Sequence, residues 1–562
     1  MAACRRLALV VVIAALGVSA PAAAAAAPPE LITVSDTEME ATWGTDGASD
    51  TTVCVGADSA NLRCERQEEG VTLHRARVRG LLAGRHYLYE LRSGGVAQPA
   101  TQANPGSFTT LRPPPGRHVV DIGLISDVHV GESCSGTAVT APLINQSIPA
   151  CFSAPDYAAR MLDGAVGELN ARRVGTVIDS ADMTDTAKFE EESRARTILG
   201  KIHAPFFVVR GNHDRPAQHS PETQCGADKD CLRTVFFPDR APSRIYYSVT
   251  VAGVHLVFLD SSDSSGVGDL TNAAQNTFLR RDLAAHRRER TFIVFHHPVS
   301  EYADTYAAPP VVFGVRPDRG GEEFLSLVAA NPQVSGVLNS HTHRNFVSTA
   351  PASGARTVYL ENAATKEYPG GYSVLRIYEG GWMRNFYRTG CAFCRQWTET
   401  TRGEYNGQYP SYTLGSLSTR NFVHLDDCGQ PTPPQSLPNE EGGDTAPLPA
   451  GCGKRVGFPA GGSTGWSISP DASVGPCRPG AGPRTSVNRR KSKIRRSGIV
   501  LTGLSRASGC AVVRRVDVSV ARRVGRRCRN LGARGRFGHT RPCDASPGSV
   551  LGARPDGRSV AA

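Results

Sequence analysis

Long apolar stretches and lysine are both scarce in this sequence. The only long apolar stretch lies at the extreme N-terminus, which excludes a polytopic membrane protein. Collagen-like, coiled-coil and wholly disordered classes are excluded because their characteristic patterns are missing. Of the 63 basic residues only seven are lysine. The 562 residues, 40% of them apolar and 20% charged, are typical of a globular protein with about three domains and a large core.

The N-terminus has the pattern of an export signal. Two arginines precede the apolar residues 7–17, and residues 18–20 (Val-Ser-Ala) resemble an A-x-A cleavage site, with a second option near Ala27. A membrane anchor is the alternative, but the apolar run is short for a membrane span. We therefore expect residues 1–27 to be a signal peptide. The protein would then be secreted, extracellular or held in the cell envelope, and not integral to a membrane.

Cysteine usage agrees with export. One of the 15 cysteines lies in the predicted signal, and the other fourteen are an even number that could form seven disulfides in an oxidising compartment. The CxxC at Cys391 and Cys394 could instead suggest zinc or redox chemistry. No second CxxC stands nearby, so a structural disulfide is favoured. Local pairing is plausible for four further pairs, namely Cys54–Cys64, Cys134–Cys151, Cys225–Cys231 and Cys510–Cys528.

The first region after the signal is rich in β patterns. Residues 28–112 show short alternating apolar runs separated by turn residues, which predicts an all-β sandwich. The stretch 81–89 (Leu-Leu-Ala-Gly-Arg-His-Tyr-Leu-Tyr) resembles the L-x-P-G-x-x-Y-x-Y stretch of fibronectin type III domains, with Ala83 in place of proline. The resemblance implies that Trp43 is a core tryptophan and Tyr87 a corner tyrosine. A domain of this type also precedes the catalytic domain of purple acid phosphatases.

A stiff linker at residues 113–116 leads into a region where strands alternate with helices. This alternation predicts an α/β layered domain over residues 118–388. The predicted strands cover residues 119–126, 174–180, 206–210, 254–260, 292–295 and 334–339, and the predicted helices cover residues 156–173, 272–288 and 321–331. The remainder is predicted as a Cys-rich extension (389–455), a flexible linker (456–495) and a small basic β module with a tail (496–562).

Five clusters of Asp, Asn and His stand at or just after the ends of predicted strands in the α/β domain. They are Asp127-Val128-His129, Asp182-Met183-Thr184-Asp185, Asn212-His213-Asp214, His296-His297-Pro298 and His341-Thr342-His343. Strand ends are where α/β domains place their sites, and these side chains supply oxygen and imidazole ligands for divalent or ferric ions. Each cluster alone is a weak signal. Five of them in one domain favour a two-metal hydrolase site.

In this order the clusters resemble the calcineurin-like metallophosphoesterase superfamily, whose pattern is D-x-H, G-D-x-x-D/N, G-N-H-D/E, H and G-H-x-H. The resemblance covers about residues 118–388. It implies two facing β-sheets flanked by helices, with two metal ions at the carboxyl ends of the strands. One ion would be bound by Asp127, His129 and His343, the other by Asn212, His296 and His341, and Asp182 would bridge them.

The resemblance also implies a reaction. His213 would stabilise or protonate the leaving oxygen, and Asp214 would orient His213 by a hydrogen bond. The protein would be a secreted phosphoesterase that hydrolyses a phosphomonoester or phosphodiester by attack of a metal-bound hydroxide, because two close cations can acidify a shared water. Since cysteine is absent from the ligand set, divalent or Fe-, Zn- or Mn-type ions are favoured.

The sequence departs from the family pattern at three positions. Ala181 and Ser340 stand where glycine is usual, before the bridging Asp and before the H-x-H. Purple acid phosphatases have a metal-binding tyrosine three residues after the bridging Asp, where this chain has Asp185. We therefore expect no tyrosinate-to-iron colour, and His129 supplies a ligand instead.

Three neighbouring residues have two interpretations each. The H-x-P pattern of purple acid phosphatases selects His296 as the ligand, so His297 could touch substrate or simply pack. Arg215 and Arg344 could bind a phosphate through two hydrogen bonds. A solvated surface position is favoured for both arginines.

Positive charge is concentrated in the C-terminal tail. Residues 484–562 carry 20 Lys and Arg against 3 Asp and Glu, whereas residues 1–483 carry 43 against 49. The tail could hold an anionic cell-envelope polymer, although a solvated face of the β module is favoured. Aromatic residues are nearly absent between the basic runs, which argues against specific nucleic-acid recognition. The alternative function is a catalytically weak extracellular binding protein that uses its β modules and basic tail, with Ala181 and Ser340 as its support.

Overall fold

The computed structural model describes residues 27–426 with internal gaps, and ten short strands between residues 484 and 561. The gaps are residues 136–153, 155, 216–222, 227, 239–244, 263–267, 300–304, 307–310, 313, 350–356 and 405–408. The predicted signal peptide, up to residue 26, lies outside the described residues. The chain divides into two compact units, residues 1–466 and 467–562, which are described separately.

The first six strands form one antiparallel sheet. They are β1 (Glu30–Val34), β2 (Glu38–Gly56), β3 (Arg63–Arg79), β4 (His86–Ser93), β5 (Val96–Ala97) and β6 (Ser107–Thr109), in the order β1-β2-β4-β5 with β3 beside β2 and β6 beside β4. Trp43 is buried and stacks on His74 with ring centroids 4.9 Å apart. The backbone N–H of Leu82 donates to the hydroxyl of Tyr87 at 3.0 Å. The described part of this region therefore packs around the apolar side chains of its strands.

Two further six-stranded sheets form the α/β part. The first has the order β20-β19-β18-β7-β8-β9, and its strands are β7 (His118–Ile125), β8 (Thr176–Asp179), β9 (Phe206–Val208), β18 (Gly371–Tyr378), β19 (Gly381–Arg388) and β20 (Asn421–Leu425). The second has the order β10-β11-β12-β15-β17-β16, and its strands are β10 (Tyr247–Val251), β11 (Val254–Phe258), β12 (Arg290–Val294), β15 (Val334–Asn339), β16 (Phe346–Thr349) and β17 (Val358–Glu361). A small hairpin pairs β13 (Thr305–Tyr306) with β14 (Val311–Val312).

The two large sheets pack face to face. Their inner side chains join in one apolar cluster, with Leu124, Ile178 and Leu375 from the first sheet and Leu256, Phe292 and Leu338 from the second. Burial of this continuous apolar surface is the main force that holds the sheets together. The prediction of a mixed α/β fold is confirmed.

Helices cover the outer faces of both sheets. These helices are α1 (Tyr157–Arg172), α2 (Phe189–Leu199), α3 (Cys231–Phe236), α4 (Ala273–Ala285) and α5 (Gly321–Ala329). Three more helices follow in the chain, namely α6 (Ala392–Thr401), α7 (Tyr409–Tyr412) and α8 (Leu417–Arg420). Leu162 and Val166 of α1 pack on the first sheet, and Leu279 of α4 and Phe324 of α5 pack on the second. Asn272 caps α4, because its side chain accepts from the N–H groups of residues 274 and 275. Among the described residues no helix is both long and apolar enough to cross a membrane.

The first sheet extends beyond the α/β region predicted from the sequence. β20 pairs with β19 in antiparallel register, so the sheet continues to Leu425 and not only to Arg388. The residues between them form α6 to α8 and include the described part of the predicted Cys-rich extension. These residues belong to the same layered body as the five clusters.

Three of the predicted disulfides are confirmed. Cys54–Cys64, Cys225–Cys231 and the CxxC pair Cys391–Cys394 are bonded. Cys134 is also disulfide-bonded. Cys151 and Cys510 lie outside the described residues.

The C-terminal unit contains short antiparallel strand pairs. Its strands are β21 (Arg484–Val487), β22 (Lys493–Arg495), β23 (Gly498–Leu501), β24 (Gly503–Arg506), β25 (Val516–Val518), β26 (Ala521–Val524), β27 (Arg527–Leu531), β28 (Phe537–Pro542), β29 (Leu551–Ala553) and β30 (Val560–Ala561). β21 and β22 lie within the segment predicted as a linker. They are strands because β21 pairs with β24 and β22 pairs with β23. The β-forming segment therefore begins before residue 496.

Candidate metal centre

The five clusters meet at one edge of the two facing sheets. β7, β8 and β9 run parallel to one another, and so do β12 and β15. Each cluster begins within four residues of the carboxyl end of one of these strands. Because the carboxyl ends of parallel strands lie at the same edge of a sheet, residues more than 200 positions apart in the sequence come into contact.

Asp182 lies at the centre of this group. Its Oδ2 atom is 2.9 Å from Nε2 of His296 and 3.7 Å from Nε2 of His129. Its Oδ1 atom accepts from the backbone N–H of His213 at 2.9 Å. Asp182 therefore reaches histidines that come from both sheets, which is the position that a bridging carboxylate requires.

Two sets of ligand atoms flank Asp182. On one side Asp127, His129 and His343 each offer a donor atom within 4.8 Å of the others. On the other side Nε2 of His296 lies 3.0 Å from Oδ1 of Asn212 and 3.1 Å from Nδ1 of His341. The structure thus brings together all seven residues that the resemblance implies as metal ligands.

The chemistry of these atoms fits a pair of metal ions. Oδ2 of Asp127 and both ring nitrogens of His129 are buried and make no hydrogen bond to any described residue. A buried polar atom without a partner costs roughly 1–3 kcal/mol, so these atoms need a ligand. Nitrogen and oxygen donors without sulfur fit Mn, Fe or Zn.

Burial and neighbouring charge set the protonation of the site. Burial lowers the pKa of His129 and of His341 well below the usual range, so both rings are neutral and can donate a lone pair. Burial opposes the charge of Asp182, but His296 and His213 hold the pKa of its carboxyl well below the usual range. Burial likewise opposes the charge of His296, and Asp182 outweighs it and raises the pKa of His296 to about 9. Asp182 is therefore ionised.

The backbone of the site is strained. Six non-glycine residues have left-handed φ angles, namely Asp127 (47°), His129 (50°), Ala181 (97°), Asp182 (51°), His341 (70°) and His343 (55°). Such a residue costs on the order of 1–3 kcal/mol when the conformation is unfavourable, and strain of this kind clusters at functional sites. The φ angle of Ala181 explains why glycine is usual at that position in the family pattern.

Gly211 is required by a close approach. A Cβ atom at this position would lie 1.9 Å from Oδ1 of Asp182 and 2.6 Å from its backbone N. Any side chain here would displace Asp182. The first residue of the Gly-Asn-His-Asp motif thus allows two loops of the site to touch.

Ser340 orients the candidate ligand His296, a role that the sequence analysis missed. Its hydroxyl donates to the backbone oxygen of Ser180 and therefore accepts from Nδ1–H of His296 at 2.9 Å. This arrangement fixes the ring of His296 so that Nε2 faces Asp182 and Asn212. A hydroxyl residue in place of the usual glycine was the available signal.

Asp214 does not act in the way that the resemblance implies. Its carboxylate is buried and accepts from the backbone N–H of Gly211 and from the N–H and hydroxyl of Thr184. The ring of His213 is held instead by the backbone oxygen of Asp185, 2.8 Å from Nδ1. Asp214 therefore positions the loop that carries His213 and makes no hydrogen bond to its ring. Burial raises the pKa of Asp214 to about 6.

Glu367 orients the ring of His343 through a hydrogen bond to Nδ1. No pattern in the sequence predicted this role. Nδ1 of His343 donates to Oε1 of Glu367 at 2.5 Å, and the carboxylate is almost fully buried. Ser135 donates to Oε2 of Glu367 at 2.9 Å, and Nζ of Lys366 lies 3.6 Å from the same atom. The same hydroxyl lies 3.1 Å from Oε2 of Glu404, beyond α6. Residues after Arg388 therefore support the ligand set.

The three ambiguous residues have clear positions. His297 is fully buried, its Nδ1 lies 3.0 Å from the hydroxyl of Ser261, and its ring lies 4.4 Å from that of His341. Arg344 is buried and makes two hydrogen bonds to Glu361, so the expectation of a solvated surface position is wrong for it. Arg215 donates to the backbone oxygen of Ser262 at 2.6 Å.

A comparison of the sequence with protein-family models agrees with the geometry of the candidate metal centre. Residues 120–345 match the model of the calcineurin-like phosphoesterases. The chain carries a calcineurin-like phosphoesterase domain. The chain is a metal-dependent phosphoester hydrolase, and the matched residues include all seven candidate ligands of the site.

Two curated proteins are similar to the phosphoesterase domain. A probable cyclic nucleotide phosphodiesterase of Synechococcus is 24% identical over 249 residues, which are 42% of this chain and 84% of that protein. The glycerophosphodiester phosphodiesterase GpdQ of Enterobacter lignolyticus is 23% identical over 218 residues, which are 36% of this chain and 72% of that protein.

Solved structures with some likeness include two phosphatases. The purple acid phosphatase PPD1 of yellow lupin (Lupinus luteus) is 13% identical, with 65% of this chain and 72% of that chain covered and a TM-score of 0.36. A dimetal phosphatase of Danio rerio is 16% identical, with 49% of this chain and 98% of that chain covered and a TM-score of 0.36.

Proposed function

We propose that the chain is a secreted phosphoesterase that hydrolyses phosphomonoesters or phosphodiesters at a pair of metal ions. The convergence of two sets of nitrogen and oxygen ligands on the buried carboxylate of Asp182 carries this proposal. When bound, two cations supply Lewis acidity that activates a water and offsets negative charge on the phosphoryl oxygens. No covalent nucleophile from the protein is needed.

The residues of the site have two roles, namely metal binding and proton transfer. Asp127, His129 and His343 would hold one ion, Asn212, His296 and His341 the other, and Asp182 would bridge them. The side chain of His213 is 31% exposed and so is open to a substrate. Because its Nδ1–H donates to the backbone oxygen of Asp185, a doubly protonated ring would carry on Nε2 the proton that it gives to the leaving oxygen.

A phosphodiester is the first substrate class to test. Both curated relatives are named as phosphodiesterases, at 24% and 23% identity. The relatives do not separate cyclic nucleotides from glycerophosphodiesters. The assay below therefore compares a generic diester with a generic monoester.

The location and the flanking regions complete the proposal. Secretion is supported by the export pattern of residues 1–27 and by the disulfides. A fibronectin type III-like domain is supported by the buried Trp43 and by the hydrogen bond from Leu82 to the hydroxyl of Tyr87. For the basic C-terminal unit a solvated face is favoured, and attraction to an anionic cell-envelope polymer is the alternative.

Ser340 favours the enzyme over a catalytically weak binding protein. The binding-protein alternative depends on Ala181 and Ser340 as departures from the family pattern. Ser340 orients His296 through its hydroxyl, so this departure adds a contact to the ligand set. Ala181 keeps the strained backbone conformation that glycine would adopt more easily.

The test measures release of nitrophenol from bis-(p-nitrophenyl) phosphate and p-nitrophenyl phosphate. We expect hydrolysis to vanish with a chelator, to return with Mn²⁺ or Zn²⁺, and to be lost in Asp182→Asn. Asp121→Asn is the matched control, because Asp121 lies on β7 and pairs with His118 at the surface. Full hydrolysis in Asp182→Asn would contradict the proposal.

A further inference from the structure

A second cluster of metal-binding side chains lies away from the catalytic edge. His255 is the second residue of β11 and pairs in register with Thr291 of β12. Thr291 precedes His296 by five residues, so a strand rise of about 3.3 Å per residue places the cluster about 16 Å from the candidate metal centre. The cluster therefore lies toward the opposite edge of the second sheet.

Three ligand atoms converge on one point in this cluster. Nε2 of His255 lies 2.7 Å from Oδ2 of Asp282 in α4, and Nε2 of His286, directly after α4, lies 3.9 Å from Oδ1 of the same carboxylate. The two imidazole rings stack with centroids 3.7 Å apart and planes 13° apart. One donor atom of each residue lies within 4.8 Å of the others.

Hydrogen bonds on the far side of each ring determine where the ring protons lie. Glu289 accepts at Oε1 from Nδ1–H of His286, 2.9 Å away, and at Oε2 from the hydroxyl of Thr250, 3.1 Å away. When the hydroxyl of Thr250 donates to Glu289, its oxygen accepts from Nδ1–H of His255 at 3.0 Å. In the neutral rings both Nε2 atoms are therefore lone-pair atoms that face Asp282.

With this proton placement, a cation between the rings and Asp282 satisfies all three groups. Two acceptors at 2.7 Å, the lone pair of His255 and the carboxylate of Asp282, repel each other unless a proton or a metal ion lies between them. A divalent cation satisfies both rings and the carboxylate at once, and the bonds from Glu289 and Thr250 already orient the rings as the outer partners of metal-bound histidines do.

We propose that His255, His286 and Asp282 bind a divalent cation of the zinc type, separate from the catalytic pair. Two imidazole nitrogens and a carboxylate oxygen, with water as the fourth ligand, are a donor set that zinc accepts. The side chain of His286 is 31% exposed, which gives the ion access from solvent. The ion would fasten α4 to the β10–β11 hairpin, since His255 belongs to the hairpin and Asp282 to the helix.

The test uses Zn²⁺ and the full chain in an Asp182→Asn background, which weakens the catalytic pair. We compare this protein with the double variant Asp182→Asn/His286→Gln by zinc titration calorimetry and by thermal unfolding. His286 is chosen because its side chain is 31% exposed, so its replacement by Gln removes few buried contacts. We expect the second variant to bind one equivalent fewer and to show a smaller zinc-dependent rise in Tm.

Two controls make the result specific. His118→Gln alters a surface histidine that lies 2.7 Å from Asp121, and it should leave the zinc stoichiometry unchanged. Glu289→Gln keeps all three ligands and should weaken zinc binding roughly 10- to 100-fold. Equal stoichiometry and equal Tm shifts with and without His286 would overturn the proposal and would show that the cluster holds protons only. This outcome leaves the catalytic proposal untouched, because His286→Gln in an otherwise native chain should keep full phosphoester hydrolysis.

Discussion

The hydroxyl of Ser340 lies 2.9 Å from Nδ1 of His296 and connects this ligand to the backbone of Ser180. Removing the hydroxyl frees the imidazole ring to rotate. We expect Ser340→Ala to weaken metal binding roughly 10- to 100-fold, as loss of a partner behind a metal-bound histidine does. Chelator competition with Mn²⁺ measures the change.

Ser261→Ala is the matched control for this prediction. Ser261 stands in the same relation to His297, with its hydroxyl 3.0 Å from Nδ1. We expect a smaller effect, because His296 is the proposed ligand of the H-x-P motif. A larger loss of affinity in Ser261→Ala than in Ser340→Ala would show that His297 binds the metal instead.

Gly211→Ala should disable the centre without removing any ligand. The new Cβ atom would lie 1.9 Å from Oδ1 of Asp182, so the bridging carboxylate must move. We expect loss of bound metal and of phosphodiester hydrolysis. Gly167→Ala in α1 is the control, because nothing lies within 4 Å of its Cβ position. It should instead stabilise the fold by about 0.5–1 kcal/mol.

Glu367→Gln should release one metal ion before the other. Among the proposed ligands Glu367 contacts His343, which belongs to the set with Asp127 and His129. We expect the ion at that set to bind about tenfold more weakly. In a chelator titration, one equivalent of metal should then be removed at a lower chelator concentration than the other. Glu404→Gln is the control, because burial raises the pKa of Glu404 to about 9 and the side chain is already neutral at pH 7. Equal metal loss in both variants would contradict the role of Glu367.

Ala181→Gly should stabilise the folded state. Glycine adopts a φ angle of 97° without strain, which stabilises the folded state. Glycine also raises the entropy of the unfolded chain, which opposes this effect. We expect the relieved strain to be the larger of the two by about 1 kcal/mol. Urea unfolding of the chelated protein measures the difference. A loss of stability would show that the backbone at Ala181 is not strained.

Stability should fall below about pH 4.5 through the contact between Arg75 of β3 and Glu168 of α1. Burial opposes the charge of Glu168, but Arg75 outweighs it and lowers the pKa of Glu168 from 4.5 to about 2. Because the folded pKa is the lower one, this stabilisation is complete above pH 4.5 and is lost as pH falls toward 2, by roughly 3 kcal/mol. Urea unfolding at several pH values between 2 and 6 gives the free energy of unfolding at each pH. This free energy should change less with pH in Glu168→Gln than in the exposed control Glu190→Gln. An equal pH dependence in both variants would contradict this prediction.

The sequence predicted the elements whose ends carry a local signal. The strand predicted at residues 334–339 matches β15, and α4 begins at Ala273 because Asn272 caps it. The convergence of the candidate ligands could be predicted because each of their clusters directly follows a buried strand. Such positions can be identified without knowing the loops between them.

Other features could not be predicted because they depend on contacts distant in sequence. All eight residues of β19 are buried, Arg384 among them. Because several of these residues are polar, the sequence lacks the apolar pattern that predicts a buried strand. The guanidinium of Arg384 is bonded to Asn345 and to the backbone of Thr419. The roles of Glu367 and Asp214 likewise depend on which side chains the fold brings beside them.

Anomalous diffraction from crystals of the Mn²⁺-loaded protein tests most directly whether Asp182 is shared by two ions. We predict two manganese peaks that both contact Asp182, one beside Asp127, His129 and His343 and the other beside Asn212, His296 and His341. A single peak, or two peaks of which only one contacts Asp182, would contradict the account.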